Sequence, residues 1–102
     1  MQPLYLPHWR DKMQVSSQGP VPSIVLENEK LKVIIGTVDA GQQIPHHPEG
    51  LAVYHFLEGS GWMTVDEARY PVQPGAIVIT PEGARRGVTA EARIVFLAVR
   101  IS

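Results

Sequence analysis

The sequence predicts an all-β fold, either a small closed barrel or a two-sheet jelly roll, and three observations lead there. Nine glycines and nine prolines are scattered among short runs rich in valine and isoleucine, the punctuation of brief strands joined by tight turns. Sustained helical periodicity is absent. Finally, a chain of 102 residues built from short strands must hide its strand edges, and closing the sheet on itself does so.

Taken in order, the first stretch, MQPLYLPHWRDKMQVSSQGP, is polar and proline-broken after Leu6. Residues 1–22 therefore read as an N-terminal arm and residues 23–102 as a single barrel domain. Candidate strands run over 23–27, 31–38, 51–57, 62–65, 69–72, 76–79, 87–89 and 93–101. Turn signals separate them at Glu27-Asn28-Glu29, Asp39-Ala40-Gly41, Glu58-Gly59-Ser60-Gly61, Asp66-Glu67, Gln73-Pro74-Gly75 and Pro81-Glu82-Gly83. On strand 51–57, alternation puts Leu51, Val53, His55 and Leu57 on one face and Ala52, Tyr54 and Phe56 on the other. Both faces are largely apolar, so a second surface must cover the one turned away from the core. A homodimer is the expected arrangement.

Composition removes several function classes. A net charge of −1 leaves no basic excess for a phosphate backbone, so nucleic acid is not an expected partner. Without cysteine, disulfides, thiolate catalysis and cysteine-zinc sites are excluded. The start shows no basic segment followed by an apolar run, and no stretch approaches the ~20 apolar residues that cross a bilayer. The reading is a soluble, cytoplasmic protein with no membrane partner.

One stretch invites a metal. Ile44-Pro45-His46-His47-Pro48-Glu49-Gly50 places two of the four histidines side by side. Neighbours on an extended strand point to opposite faces, so a chelating pair would be spaced His-x-His. Either this is a polar turn braced by Pro45 and Pro48, or one imidazole faces a ligand. His46, His47 and Glu49 are the donors a rebuilt metal site would use, and they are too few for a filled coordination shell.

Two further stretches carry a family resemblance. In VITPEGARRGVTA and the glycine before it, Gly75, Pro81 and Gly83 match the second cupin motif, G-x5-P-x-G-x2-H-x3-N. YHFLEGSGWMTV resembles the end of the first, G-x5-H-x-H-x3(or 4)-E-x6-G. From about Val33 to about Ile101 the chain thus resembles a small single-domain cupin. That implies a double-stranded β-helix jelly-roll barrel, often homodimeric, holding a divalent metal or small ligand inside. The resemblance also implies where the metal ligands would sit, and most are replaced. If Gly59 closes the first motif, the glutamate position is Ala52 and the histidine positions are His46 and Pro48, or Pro45 and His47. If Gly61 closes it, Gly41 opens it and the three positions are His47, Glu49 and Tyr54. The second-motif histidine position is Arg86, which has no lone pair to give, and the asparagine position is Ala90. No cofactor is expected, and a weakly held divalent metal is the alternative.

The resemblance aims Arg86 into the barrel, where a guanidinium needs an internal carboxylate such as Glu49 or a ligand anion; a place on the rim is the other option. The expected ligand-contacting set is His46, His47, Tyr54, Phe56, Trp62 and Arg86, with the aromatics serving either as wall or as plain filling. His55 is expected outside. His8 and Trp9 are expected either to pack over an edge or a partner subunit, or to lie in a disordered arm. The expected function is binding of a small anionic or polar metabolite. The alternative is a cupin-type isomerase, epimerase, decarboxylase or dioxygenase with His46 or His47 as base.

Overall fold

The computed structural model describes residues 2–102. Seven strands follow one another: β1 Val21–Glu27, β2 Leu31–Val38, β3 Gln43–Pro48, β4 Ala52–Val65, β5 Ala68–Val72, β6 Ile77–Thr80 and β7 Arg85–Ile101. All pairings are antiparallel. Hydrogen bonding joins all seven strands into one continuous sheet, and the long strands β4 and β7 each run through both of the sheets into which it folds. In the first sheet, β1 pairs β2, β2 pairs the end of β7, and the start of β4 lies between β7 and β6. In the second, β3 pairs the start of β7, and the end of β4 lies between β7 and β5.

Four of the expected segments are thereby fused into two: 51–57 with 62–65, and 87–89 with 93–101. Glycine explains the first fusion. Gly59 takes a φ of +85°, and a Cβ there would overlap the Arg93 carbonyl of β7. Only glycine lets β4 turn the corner while staying paired. The ladder is irregular between Phe56 and Gly61, and those bulges reverse which parity faces inward. Phe56 and Met63 are consequently both buried despite opposite parity.

β3 is a strand that the sequence hid, since Pro45 and Pro48 argue against one. Among the described residues it pairs with β7 alone, so it is an edge, where a missing amide is tolerated. Strand β1 begins at Val21, two residues before the expected start of the barrel. Ahead of it, the arm makes a short 3-10 turn over Trp9–Lys12, capped by His8 Nδ1 accepting from the Arg10 amide. Arg10 pairs with Glu58 of β4, and Gln42 Nε2 donates to Ser16 O at 2.7 Å, so the arm is fastened to the barrel.

Between the sheets lie Val38, Phe56, Met63, Val72, Val88, Ala90, Ile94, Phe96 and Ala98. Each large member of such a core contributes about 1.5–3 kcal/mol by burial. Among the described residues no helix is long and apolar enough to cross a membrane.

Candidate functional site

The two sheets do not close completely on each other. A cavity of about 390 Å³ remains, with Ile34, Ala52, Met63, Val88, Phe96 and Ala98 on its apolar wall and Pro20, Val21, Pro22 and Pro45 at its rim. Its charged and polar groups are Lys32, His47, Glu49, Tyr54, Arg86 and Arg100. The Phe96 ring can lie against β2 because position 36 is glycine, where a Cβ would run into it.

Strand alternation settles the histidine pair. On β3, Pro45 and His47 face the cavity, while His46 lines a separate depression on the outer surface beside Asp66 and Arg69. His47 Nδ1 donates to Pro45 O at 2.8 Å, and Nε2 stands 3.5 Å from Glu49 Oε1, a contact that becomes an ion pair when the ring carries both protons. The other oxygen of Glu49 is paired with Arg100 Nη1. Burial works against ionisation of Glu49, but Arg100, His47 and Arg86 more than offset it and hold the carboxyl below its ordinary value.

Arg86 is almost entirely buried, at 1% exposure. It lies neither on the rim nor against a carboxylate: its partners are backbone carbonyls. Nε donates to Ala84 O at 3.1 Å, Nη1 to Gly50 O at 2.8 Å, and Nη2 to Glu49 O, Pro81 O and Ala84 O at 3.0, 3.1 and 2.9 Å. The fork thus ties the loop after β3 to the turn between β6 and β7, with most of its five donors occupied. Tyr54 stands beside it. Burial pushes the phenol's ionisation up, Arg86 only partly offsets this, and Tyr54 stays a protonated donor at neutral pH.

The remaining expected site residues lie elsewhere. Phe56 is buried in the core, its ring 5.8 Å from that of Phe96, and it is not on the cavity wall. Trp62 is on the outer surface, where its indole donates to Glu91 Oε1 at 2.9 Å and Arg69 stacks 3.9 Å from the ring centroid. The bulges after Phe56 are the reason, because they turn Met63 inward and Trp62 outward. Arg100 and Lys32 went unnoticed in the sequence. Each continues the inward parity of its strand, Arg100 after Phe96 and Ala98, and Lys32 before Ile34 and Gly36.

The cavity wall carries the positions of two motif registers, Pro45, His47 and Ala52 of the long Gly59 one and His47, Glu49 and Tyr54 of the Gly61 one, and only the second is rich in polar groups. His47, Glu49, Tyr54 and Arg86 share the wall, which is the arrangement opened by Gly41 and closed by Gly61. The short Gly59 register needs His46 and Pro48 inside, and neither is; the long one supplies His47 as its only donor. These four residues do not fit a divalent metal. Arg86 brings a fixed cation where a donor is needed, and Glu49 is already engaged by Arg100. Among the described residues no group of three or more histidine, cysteine, aspartate or glutamate side chains could hold a metal ion.

Comparisons with known proteins agree with this architecture. A protein from Thermus thermophilus superposes with a TM-score of 0.88 at 22% identity, over 96% of this chain and 97% of its own. A Klebsiella pneumoniae protein described as having a double-stranded beta-helix domain gives 0.87 at 20% identity, over 97% and 90%. An RmlC-like cupin from Desulfovibrio desulfuricans gives 0.83 at 28% identity, over 99% and 96%. None of the curated proteins matches the chain. The sequence profile of the family described as "Cupin domain" matches residues 34–100, so with both motif frames in place around one barrel, the chain belongs to the cupin family.

Proposed function

We propose that this cupin binds a small anionic metabolite, its charged head at the polar end of the cavity and its body against the apolar wall. The observation that carries this reading is the charge of the lining: Lys32, Arg86 and Arg100 stand against one lining carboxylate, Glu49, around an otherwise largely apolar space, with Lys32 also 3.8 Å from Glu27 outside it. Such a space, near the lower end of small-molecule pockets in size, with a few convergent polar groups, is the usual form of a metabolite site. Arg100 is better placed than Arg86 to meet the ligand. Arg86 has its donors on carbonyls, whereas Arg100 uses Nη1 on Glu49 and is the more exposed of the two. Tyr54 supplies a neutral donor next to them.

A panel of matched anions and neutral analogues tests this: hexanoate, benzoate and hexyl phosphate against hexanamide and benzamide, by thermal shift and calorimetry. A ligand present at about a hundred times its dissociation constant stabilises the native state by ~2.7 kcal/mol, a rise in melting temperature on the order of 10 °C for a domain of this size. At least one anion should reach that level, its amide should not, and Arg100→Met should lose the effect. Equal effects of anions and amides, or no effect of any anion, would overturn the reading.

A further inference from the structure

The one carboxylate in the cavity is itself a clue to what the cavity takes. Glu49 spans the site, with Oε1 toward His47 Nε2 and Oε2 on Arg100 Nη1. It is the only acidic residue on the wall among the described residues. Its backbone, not its side chain, holds the loop. The Glu49 carbonyl accepts from Arg86 Nη2 at 3.0 Å and from the Gly83 amide at 2.8 Å. The carboxylate is also not sealed in: the Glu49 side chain is 24% exposed and that of Arg100 31%. A planar two-oxygen anion therefore already sits on the cation a ligand would need, in a contact open enough to exchange.

Resting on the reading of the cavity as an anion site, we propose that Glu49 is the chain's own stand-in for the ligand. The cavity takes a small monocarboxylate with an apolar body, whose head group displaces the Glu49 side chain from Arg100. The exchange trades one carboxylate–guanidinium contact for another. Net affinity comes from the ligand's body against Met63, Val88 and Phe96, so carboxylates without such a body bind poorly. Bound in this way, the ligand competes with an intramolecular anion, and its apparent affinity is reduced by the fraction of molecules in which Arg100 is free.

Calorimetric titration of hexanoate and hexyl phosphate into wild type, Glu49→Asp and Glu49→Gln tests the exchange. Aspartate keeps the charge and is one methylene too short to hold Arg100, so exchange predicts about tenfold tighter hexanoate binding to Glu49→Asp if roughly a tenth of wild-type molecules have Arg100 free. Glu49→Gln should gain at least as much, while Arg100→Met should erase the gain from Glu49→Asp. A gain in Glu49→Gln alone would be the plain loss of a negative charge and would overturn the exchange. Equal hexanoate affinity in all three proteins would overturn it too and leave the anion site standing. Hexyl phosphate binding more tightly than hexanoate would overturn the carboxylate class. No binding of either probe to any of the three would overturn both the exchange and the anion site.

Discussion

Replacing Arg86 by methionine keeps much of the side chain's volume and removes every donor of the guanidinium. Glu49 O and Pro81 O keep a second partner, the amides of Gly83 and Ala84. Gly50 O and Ala84 O depend on the arginine. Each buried acceptor left unsatisfied costs ~1–3 kcal/mol, about 2–6 kcal/mol for the two. Relief of the guanidinium's desolvation offsets part of that. The expected net loss is about 3 kcal/mol, or a drop in melting temperature on the order of 15 °C for a domain of this length. Urea unfolding followed by circular dichroism, at one fixed protein concentration, measures it. Arg86→Lys should fall between the two, because a point charge with three donors cannot satisfy carbonyls placed for a planar fork. A loss below about 1 kcal/mol in Arg86→Met would refute the argument, since it would mean that water or a shifted loop satisfies those carbonyls at little cost.

The pH dependence of stability has a defined sign. Glu49 titrates below its ordinary value of 4.5 when folded, so its stabilising effect is complete above that value and is lost as pH falls through the folded pKa. Wild type should lose stability on acidification, and Glu49→Gln should show a shallower acid limb in denaturant titrations; an identical limb would contradict the pairing with Arg100. We also propose that two copies meet on the outer face of the first sheet. Ile77 and Ile79 are 62% and 63% exposed there beside His55 and Val53. Light scattering at tens of micromolar should give twice the 11.3 kDa chain mass, and Ile79→Lys should shift it toward the monomer; a monomeric wild type would contradict the proposal. Protein purified without chelator should carry well under one transition-metal ion per chain by elemental analysis, because Arg86 and Tyr54 stand at two ligand positions. Stoichiometric zinc, iron, manganese or nickel surviving dialysis would contradict that.

The barrel was legible because its signals are local. Glycine and proline mark the turns, and alternation over 51–57 correctly separates the inward Ala52, Tyr54 and Phe56 from the outward Val53. What escaped depends on partners distant in sequence. β3 is disguised by its prolines, which only its position at a sheet edge makes harmless. Trp62 turns outward because of bulges between Phe56 and Gly61, and these follow from the close approach of Gly59 to β7, not from a residue pattern in β4 alone. The burial of Arg86 followed from the cupin frame, but its partners did not. Backbone carbonyls have no sequence signature, and the carboxylate expected to meet Arg86, that of Glu49, belongs to Arg100. Arg100 continues the inward stripe of Phe96 and Ala98, so parity alone would have found it.

If a carboxylate with an apolar body enters the barrel, one buried methyl group reports on it directly. Of the three methionines in the chain, Met63 is fully buried on the cavity wall, while Met13 sits in the arm. In protein labelled with ¹³C at the methionine methyls, titration with hexanoate should move the Met63 signal saturably and leave that of Met13 in place, and hexanamide at the same concentrations should do neither. A Met63 signal that stays fixed under hexanoate, or that follows hexanamide equally well, would contradict the account.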